Sequence, residues 1–162
     1  THERSSAASD VYKRQDMFIT LFFAIIDTKS KKIIYSRAGH EPALMIRGET
    51  VAKGHSRVEE LHGGGMAVGM VPCEIFDEMI EDHETNFGNG DCLLLYTDGV
   101  TEATNDEGEE FGIKNLKNFA SSNNNHSPKI INRKLISNLD SFSSAQFERD
   151  DITLLTIKNI IA

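Results

Sequence analysis

Cysteine is scarce in this sequence, which contains only Cys73 and Cys92. Cys92 lies within a run of apolar residues, and neither cysteine has the spacing of a metal ligand. A secreted fold held by disulfides and a structural zinc site are therefore not expected. We predict two buried thiols, as in a protein of the reducing cytosol.

Long hydrophobic runs are also missing. No apolar stretch reaches the roughly 18 to 20 residues that a membrane-spanning helix needs, and no signal peptide is visible. We therefore predict a cytoplasmic protein without direct membrane insertion, although a longer parent protein could be tethered to a membrane.

Positive charge is in deficit, since 17 Lys and Arg residues stand against 25 Asp and Glu residues and the net charge is -8. Nucleic-acid backbones and anionic membranes bind clusters of Lys and Arg, so neither is expected as the main partner. Acidic sites that bind cations remain compatible with this balance.

What is present suits one globular domain. The chain has 162 residues, of which 39% are hydrophobic and 26% charged, enough for a core of its own. Residues 1–15 (THERSSAASDVYKRQ) lack an apolar period and look like translated adapter sequence. We expect a non-native or disordered leader there, followed by a domain over residues 16–162. The alternative is an ordinary flexible N-terminal tail.

The most informative stretch is residues 90–103 (GDCLLLYTDGVTEA). An apolar run of strand length stops at Asp98, and Gly99 follows. A carboxylate at the exit of a buried strand is held rigidly, and Mg²⁺ and Mn²⁺ prefer such oxygen ligands. The glycine lets its backbone and a water molecule approach closely. The alternative is a strand that ends in an ordinary Asp-Gly turn.

A second acidic site lies near the C-terminus. Asp150 and Asp151 open another apolar strand, ITLLTI. If the two strands are neighbours in one sheet, the carboxylates of Asp98 and Asp150 come together. The sequence therefore indicates a site for a hard divalent cation built from residues that are distant in the chain.

Five blocks in this order resemble the metal-dependent (PPM-type) serine/threonine phosphatases, in their branch similar to stage II sporulation protein E. Five blocks over roughly nine tenths of the chain are far more specific than any one block alone. They begin at Asp16, Tyr35, Gly65, Leu93 and Glu148 and read DMFITLFFAIID, YSRAGHEPALMI, GMAVGM, LLLYTDGVTEATNDEGEEFG and ERDDITLLTI.

The resemblance implies an α+β fold, namely a four-layer α/β/β/α sandwich that is truncated here at its N-terminus. It implies that Asp98 and Asp150 are catalytic metal ligands, for two Mn²⁺ or Mg²⁺ ions in the complete domain. Gly99 and Asp151 are included as metal-site residues. Asp150 matches the family's metal-binding position, and whether Asp151 also ligates directly stays open.

The resemblance further implies hydrolysis of phosphoserine or phosphothreonine on a phosphorylated regulator of the anti-anti-sigma type. It also implies an upstream sensor domain in the parent protein. The sequence departs from the family in lacking the glycine-aspartate strand and the GDVSGKG-like block whose aspartate bridges the two metals. We therefore expect this polypeptide alone to bind Mn²⁺ weakly and to be nearly inactive.

Two alternatives to an active phosphatase remain. One is a pseudophosphatase, a domain of the same fold that only binds a protein partner. The other is a non-catalytic sandwich in which Asp98 and Asp150 merely cap strands.

His40 is a weaker candidate. It lies in the sequence AGHEP, which interrupts two predicted strands, and it could be a catalytic or ligand histidine. A single histidine without a partner motif is weak evidence, so we assign it to ordering the turn before Pro42. The glycines at 63–65 lack the ending of a P-loop and are interpreted as a flexible connection.

The remaining pattern predicts the following elements. Residues 17–26 are almost all apolar and indicate a strand covered on both faces, joined by a turn at 27–31 to a return strand at 32–37. Residues 74–87 have a helical period, but the resemblance favours a strand and we predict a strand.

Two helices are predicted after the acidic stretch. The first buries the face formed by Ile113, Leu116, Phe119 and Ala120. The second is capped by Ser127, with Pro128 in its first turn. Its buried stripe is formed by Ile131, Leu135, Leu139 and Phe142.

Overall fold

The structure is a computed structural model that describes residues 17–52, 55–143 and 150–160. The predicted leader and the predicted domain start at Asp16 lie outside the described residues. Along the chain the elements are β1 Leu21–Asp27, β2 Lys32–Ala38, β3 Ala43–Ala52, β4 His55–Leu61, α1 Cys73–Met79, β5 His83–Asn86, β6 Cys92–Tyr96, a 3-10 turn Asp98–Val100, α2 Gly112–Asn123, α3 Pro128–Phe142 and β7 Leu154–Lys158.

The strands form two antiparallel sheets. One has the order β1-β2-β5 and the other the order β4-β3-β6-β7. Helices α2 and α3 pack on the four-stranded sheet, α2 mainly against β4 and α3 mainly against β7. The predicted α+β class with two packed sheets is confirmed, and the described residues supply a helix layer and two sheet layers.

Two cores lie on opposite faces of the four-stranded sheet. Along β6, Leu93 faces the three-stranded sheet, whereas Cys92 and Leu94 face the helices, because successive side chains of a strand alternate. This explains why β6 is apolar without interruption. The core between the sheets includes Ile33, Tyr35, Ala43, Met45, Leu61, Phe87 and Leu93.

The helix core confirms both predicted helical faces. Leu116 and Ala120 of α2 are buried, as are Ile131, Leu135 and Leu139 of α3. Ile113, Phe119 and Phe142 are partly buried against the same core. Ser127 lies at the N-cap of α3 and Pro128 begins the helix, although the Ser127 side chain makes no capping hydrogen bond.

The three-stranded sheet has an open face, and here the prediction for residues 17–26 is wrong. The strand begins at Leu21, and its alternate residues Phe22, Ala24 and Ile26 pack into the core between the sheets. The opposite side chains are 42% to 55% exposed. We call them the apolar face; they are Leu21, Phe23, Ile25 and, directly opposite Ile25 on β2, Ile34. Within the described residues no layer covers them.

The strand predicted over residues 74–87 is only partly correct. Residues Cys73–Met79 form α1, and the strand β5 is limited to His83–Asn86. The helical period of the sequence was the better guide to the first half, where Pro72 at the N-cap also favours a helix start.

The thiols differ from each other. Cys92 is buried as predicted, but Cys73 is exposed, and the two are not joined. The prediction of a buried thiol is wrong for Cys73 because α1 buries none of its residues. Among the described residues no helix is long and apolar enough to cross a bilayer.

A polar cluster joins the two sheets on the side where β6 begins. The Arg47 guanidinium on β3 donates to Glu59 on β4 at 2.5 Å and to Asp91 at 3.2 Å, and it also reaches Thr85 on β5 at 3.1 Å. Asp91 in turn accepts from the Gly48 amide at 2.7 Å. Of these bonds, the one to Thr85 links the four-stranded sheet to the three-stranded sheet.

Candidate metal centre

The predicted site forms where β6 ends and β7 begins. The two strands are antiparallel neighbours, with Tyr96 opposite Leu154, so the exit of one lies beside the entrance of the other. Thr97 extends the pairing, because its amide donates to the Thr153 carbonyl at 3.2 Å and its Oγ1 accepts from the Thr153 amide at 2.9 Å. The same hydroxyl donates to the Asp151 carbonyl at 2.9 Å.

Gly99 lies directly against this junction. A Cβ at Gly99 would lie 2.8 Å from the Asp151 carbonyl oxygen, closer than real Cβ contacts, and 3.0 Å from the Asp150 carbonyl oxygen, which is already tight. Glycine is therefore required for the chain before β7 to pack on the turn after β6. This packing role is separate from the predicted role of Gly99 at a metal, which stays a prediction.

Three carboxylates meet at the junction. Asp98, Glu102 and Asp150 each place one oxygen so that the three oxygens lie within 4.8 Å of one another. The predicted proximity of Asp98 and Asp150 is confirmed. Within the described parts of the chain, no other group of three or more His, Cys, Asp or Glu side chains brings its ligand atoms this close together.

Asp151 does not belong to this group. Its amide donates to Oδ1 of Asp150 at 2.7 Å, and its carbonyl accepts from Thr97. The main chain of Asp151 thus helps to orient Asp150, and direct ligation by its side chain stays a prediction.

Glu102 was missed by the sequence analysis. The 3-10 turn Asp98–Val100 brings it back beside Asp98, since the amides of Thr101 and Glu102 both donate to the Asp98 carbonyl, at 2.8 and 2.9 Å. Residues four apart in a helical turn share one side. The spacing of two acidic residues after a strand was the available signal.

The donor set fits a hard divalent cation. It consists of carboxylate oxygens alone, on exposed side chains. In Asp98 and in Asp150, Oδ1 accepts the next amide, at 3.0 and 2.7 Å, and no described residue donates to Oδ2. Each side chain therefore keeps an oxygen for a ligand. Three neighbouring negative charges also repel one another, which a bound cation relieves.

A small cavity of about 80 Å³ lies next to this group. It is lined by Thr20, Gly39, His40, Glu41, Thr97 and Asp98. Tyr96, the last residue of β6, is buried. Its burial raises the pKa of its hydroxyl, and the negative charges of Glu41 and Glu60 add to this rise. The Tyr96 hydroxyl is therefore held in its protonated form.

Known proteins are similar to this chain in sequence. Residues 3–159 match the family model of Stage II sporulation protein E (SpoIIE). Protein IcfG of Synechocystis sp. is 35% identical over 146 residues, which is 87% of this chain and 20% of IcfG. The phosphoserine phosphatase RsbU of Bacillus subtilis is 28% identical over 92 residues, 57% of this chain and 25% of RsbU.

A solved structure shows the same fold. It is the phosphatase domain of SpoIIE from Bacillus subtilis, presoaked with Mn, with a TM-score of 0.59 at 19% identity. The likeness covers 98% of this chain and 61% of that one. The chain thus spans only 20% and 25% of the curated relatives that it matches. Since the family model matches almost the whole sequence, the chain belongs to the Stage II sporulation protein E family of PPM-type phosphatase domains.

Proposed function

We propose that this chain is the C-terminal part of a metal-dependent protein phosphatase domain that hydrolyses phosphoserine or phosphothreonine. The observation that carries the proposal is the group of three carboxylates where β6 and β7 meet. The name of RsbU, a phosphoserine phosphatase, supports the reaction. The Mn presoak of the related SpoIIE domain supports the choice of Mn²⁺ or Mg²⁺.

The chain contributes a rigid set of ligands. Asp98, Glu102 and Asp150 hold the cation, and Thr97 and Gly99 keep the two segments that carry them in contact. Asp151 is a neighbouring acidic residue outside this group, and its main chain contacts Asp150 and Thr97. A Mn²⁺ or Mg²⁺ pair bound in the complete domain neutralises phosphoryl oxygens and lowers the pKa of the water that attacks phosphorus.

The complete site needs residues that this stretch does not supply. The described residues form one group of three carboxylates, whereas two ions require further ligands, which we place in an upstream part of the domain. This stretch alone is therefore expected to bind Mn²⁺ weakly and to be nearly inactive. The substrate of the complete cytoplasmic protein is a phosphorylated regulator of the anti-anti-sigma type, and an upstream sensor domain controls the reaction.

The test uses the protein made from the complete gene, with Asp98→Asn and the matched control Asp151→Asn. Both changes remove one charge from neighbouring exposed side chains, but only Asp98 belongs to the carboxylate group. We expect Asp98→Asn to lower Mn²⁺ affinity and turnover of a phosphoserine peptide on the order of 100-fold or more, since it removes a ligand. Asp151→Asn should change both by less than about tenfold. Isothermal titration and phosphate release measure the two quantities.

The outcomes separate the alternatives. Equal activity of wild type and Asp98→Asn would remove Asp98 from the mechanism. Tight binding of the phosphorylated regulator without any turnover by the wild type would identify a pseudophosphatase. Absence of Mn²⁺ binding by the complete wild-type protein would favour the non-catalytic sandwich.

A further inference from the structure

An open groove lies between α2 and α3, and we call it the helix groove. One end is formed by Phe111 and Phe142, whose rings meet edge to face with their centroids 5.3 Å apart. The other end lies at Asn123 and Lys134. Two adjoining cavities of about 480 and 390 Å³ make up its length. Volumes in this range are typical of ligand sites.

The lining of the helix groove is almost free of charge. Among the described residues that line it, Lys134 is the one charged side chain. Its ammonium is already engaged, because it donates to Asn123 Oδ1 at 3.1 Å and lies 2.7 Å from Nε2 of His126. The whole chain is 26% charged, and the solvent side of a helix normally carries many of the charges. A surface with aromatic rings and few charges is typical of the centre of an interface.

Asparagine and serine line the helix groove at positions where they weaken the helices. They recur three or four residues apart and therefore form one stripe on each helix. The stripes are Asn115, Asn118 and Ser122 on α2 and Ser137, Asn138 and Ser141 on α3. Both residue types are poor helix formers, whereas exposed helix positions normally carry strong ones. Two facing stripes that break this local rule indicate a binding role.

Two side-chain amides of the groove are free to bind a ligand. No described residue hydrogen-bonds to the side-chain amide of Asn118 or of Asn138, and both residues are exposed. Asn115 differs, because its amide donates to the Phe111 carbonyl at 2.7 Å. A free asparagine amide both donates and accepts, and so it matches the N–H and C=O groups of a peptide backbone. The groove therefore suits an uncharged, extended polypeptide.

The helix groove begins close to the carboxylate group. Glu102 belongs to that group, and the next residue, Ala103, accepts from the Phe111 amide at 2.8 Å. Gly112, the first residue of α2, donates to the Thr101 carbonyl at 2.8 Å. The 12 residues of α2 are about 18 Å long, which an extended chain covers with about six residues. A flank of about twelve residues is therefore long enough to pass from the carboxylates along the groove.

We propose that the helix groove binds an extended, uncharged segment that flanks the phosphoserine or phosphothreonine of the substrate protein; this role rests on the proposed function. The Asn118 and Asn138 amides hydrogen-bond to the backbone of that segment, and the Phe119 ring contacts its apolar side chains. Recognition of the backbone tolerates many side chains but not charged ones, since a charge buried there would find no partner. The groove adds affinity for a long substrate and takes no part in the chemical step.

The experiment uses the protein from the complete gene, with Mn²⁺ and three phosphoserine peptides. The short peptide has one alanine on each side of the phosphoserine. The long peptide has flanks of about twelve alternating Ser and Ala residues, twice the number that spans the groove. The long acidic peptide has Glu in place of Ser in the same flanks. KM and kcat are measured from phosphate release.

Three proteins are compared: wild type, the double variant Asn118→Ala/Asn138→Ala, and the control Asn125→Ala. Asn125 is exposed and lies outside the helix groove. Alanine is the strongest helix former, so the double variant should keep α2 and α3 folded. Urea denaturation checks this, and light scattering gives the oligomeric state.

We expect the KM of wild type for the long peptide to be about tenfold below that for the short peptide, the effect of two amide hydrogen bonds. The double variant should lose this advantage while its kcat on the long peptide stays within about twofold of wild type. The long acidic peptide should have no advantage over the short one with any of the proteins. Asn125→Ala should match wild type throughout.

Equal KM values of wild type for the short and the long peptide would overturn the role of the helix groove. An equal rise of both KM values in the double variant would do the same, since it would indicate a general structural effect. A change from dimer to monomer in the double variant would give the groove to a second copy of the chain instead. A wild-type protein that hydrolyses none of the peptides would remove the proposed function together with this role.

Discussion

At the scale of single residues, the two thiols differ in access. Cys92 is fully buried on β6, and burial raises the pKa of its thiol to about 11. The nearby charge of Lys158 partly opposes this shift, and that of Asp91 adds to it. Because the thiolate is the reactive form, Cys92 is doubly protected, whereas Cys73 is exposed.

We therefore expect one fast-reacting thiol in the native chain. Ellman's reagent at neutral pH should modify Cys73 within minutes and Cys92 only at the rate of unfolding, while both should react at once in denaturant. Cys73→Ser should abolish the fast phase and leave the slow one. A fast phase that persists in Cys73→Ser would show that Cys92 is accessible.

The site residues show what the sequence could predict at this scale. The proximity of Asp98 and Asp150 was predictable because Asp98 follows one apolar strand and Asp150 precedes another, and the two strands are neighbours. Glu102 was within reach, since its distance from Asp98 fits one helical turn. The surroundings of His40 were not, because its cavity depends on how two sheets stack, which no local pattern encodes.

At the scale of elements, the β6–β7 junction depends on one hydroxyl. Thr97 Oγ1 accepts from the Thr153 amide and donates to the Asp151 carbonyl, so it ties both ends of the short segment that follows Asp150. The ladder of β6 with β7 ends at Tyr96; the Thr97 amide extends it to the Thr153 carbonyl, and the hydroxyl carries the contact on to Asp151.

Thr97→Val removes the hydroxyl at almost constant volume. We expect a loss of about 1 kcal/mol in the free energy of unfolding, the net value of such hydrogen bonds. Mn²⁺ affinity of the complete protein should fall on the order of tenfold, because Asp150 loses its support. Chemical denaturation and titration measure the two effects.

The control is Thr153→Val, across the same junction. It keeps the Thr153 amide that bonds to Thr97, and the side chain is exposed, so both effects should be small. Equal effects of the two substitutions would mean that the Thr97 hydroxyl does not hold the junction.

Element types were predictable where burial is one-sided. The periods of α2 and α3 identified both helices because each packs a single stripe on the sheet. Residues 74–79 were assigned wrongly because the resemblance outweighed a helical period. The strand β1 is apolar on both faces, which a sequence cannot distinguish from complete burial; the structure leaves one face open within the described residues.

At the scale of the whole molecule, most of the apolar face belongs to β1, which is an edge strand of the three-stranded sheet. β1 pairs with β2 on one side, and no described strand pairs with its other side. An open strand edge next to exposed apolar side chains favours association with further chain. Under the proposed function, the expected occupant of the open face is the upstream part of the domain.

The 162-residue chain alone is therefore expected to self-associate as its concentration rises. Phe23→Thr, at a position 55% exposed, should shift the chain toward monomer in size-exclusion chromatography with light scattering. Leu155→Thr is the control, since Leu155 is 53% exposed on β7, away from this face. The protein from the complete gene should show no such shift. A strictly monomeric 162-residue chain would contradict the expectation.

The two-sheet architecture was predicted from the family resemblance, and it agrees with the apolar run of β6, which has a core on each side. The order of the strands was not, since it depends on pairings between residues far apart in sequence. The contact of β3 with β6, which places β6 centrally, is one such pairing.

The position of β7 sets when the site can exist during synthesis. Asp150 and β7 follow every other described element, and among the described strands β7 pairs with β6 alone. A nascent chain that has not yet emerged from the ribosome as far as Asp150 therefore lacks the third carboxylate of the group. The carboxylate group therefore depends on a late docking event, because its third member takes its place only once β7 has paired with β6.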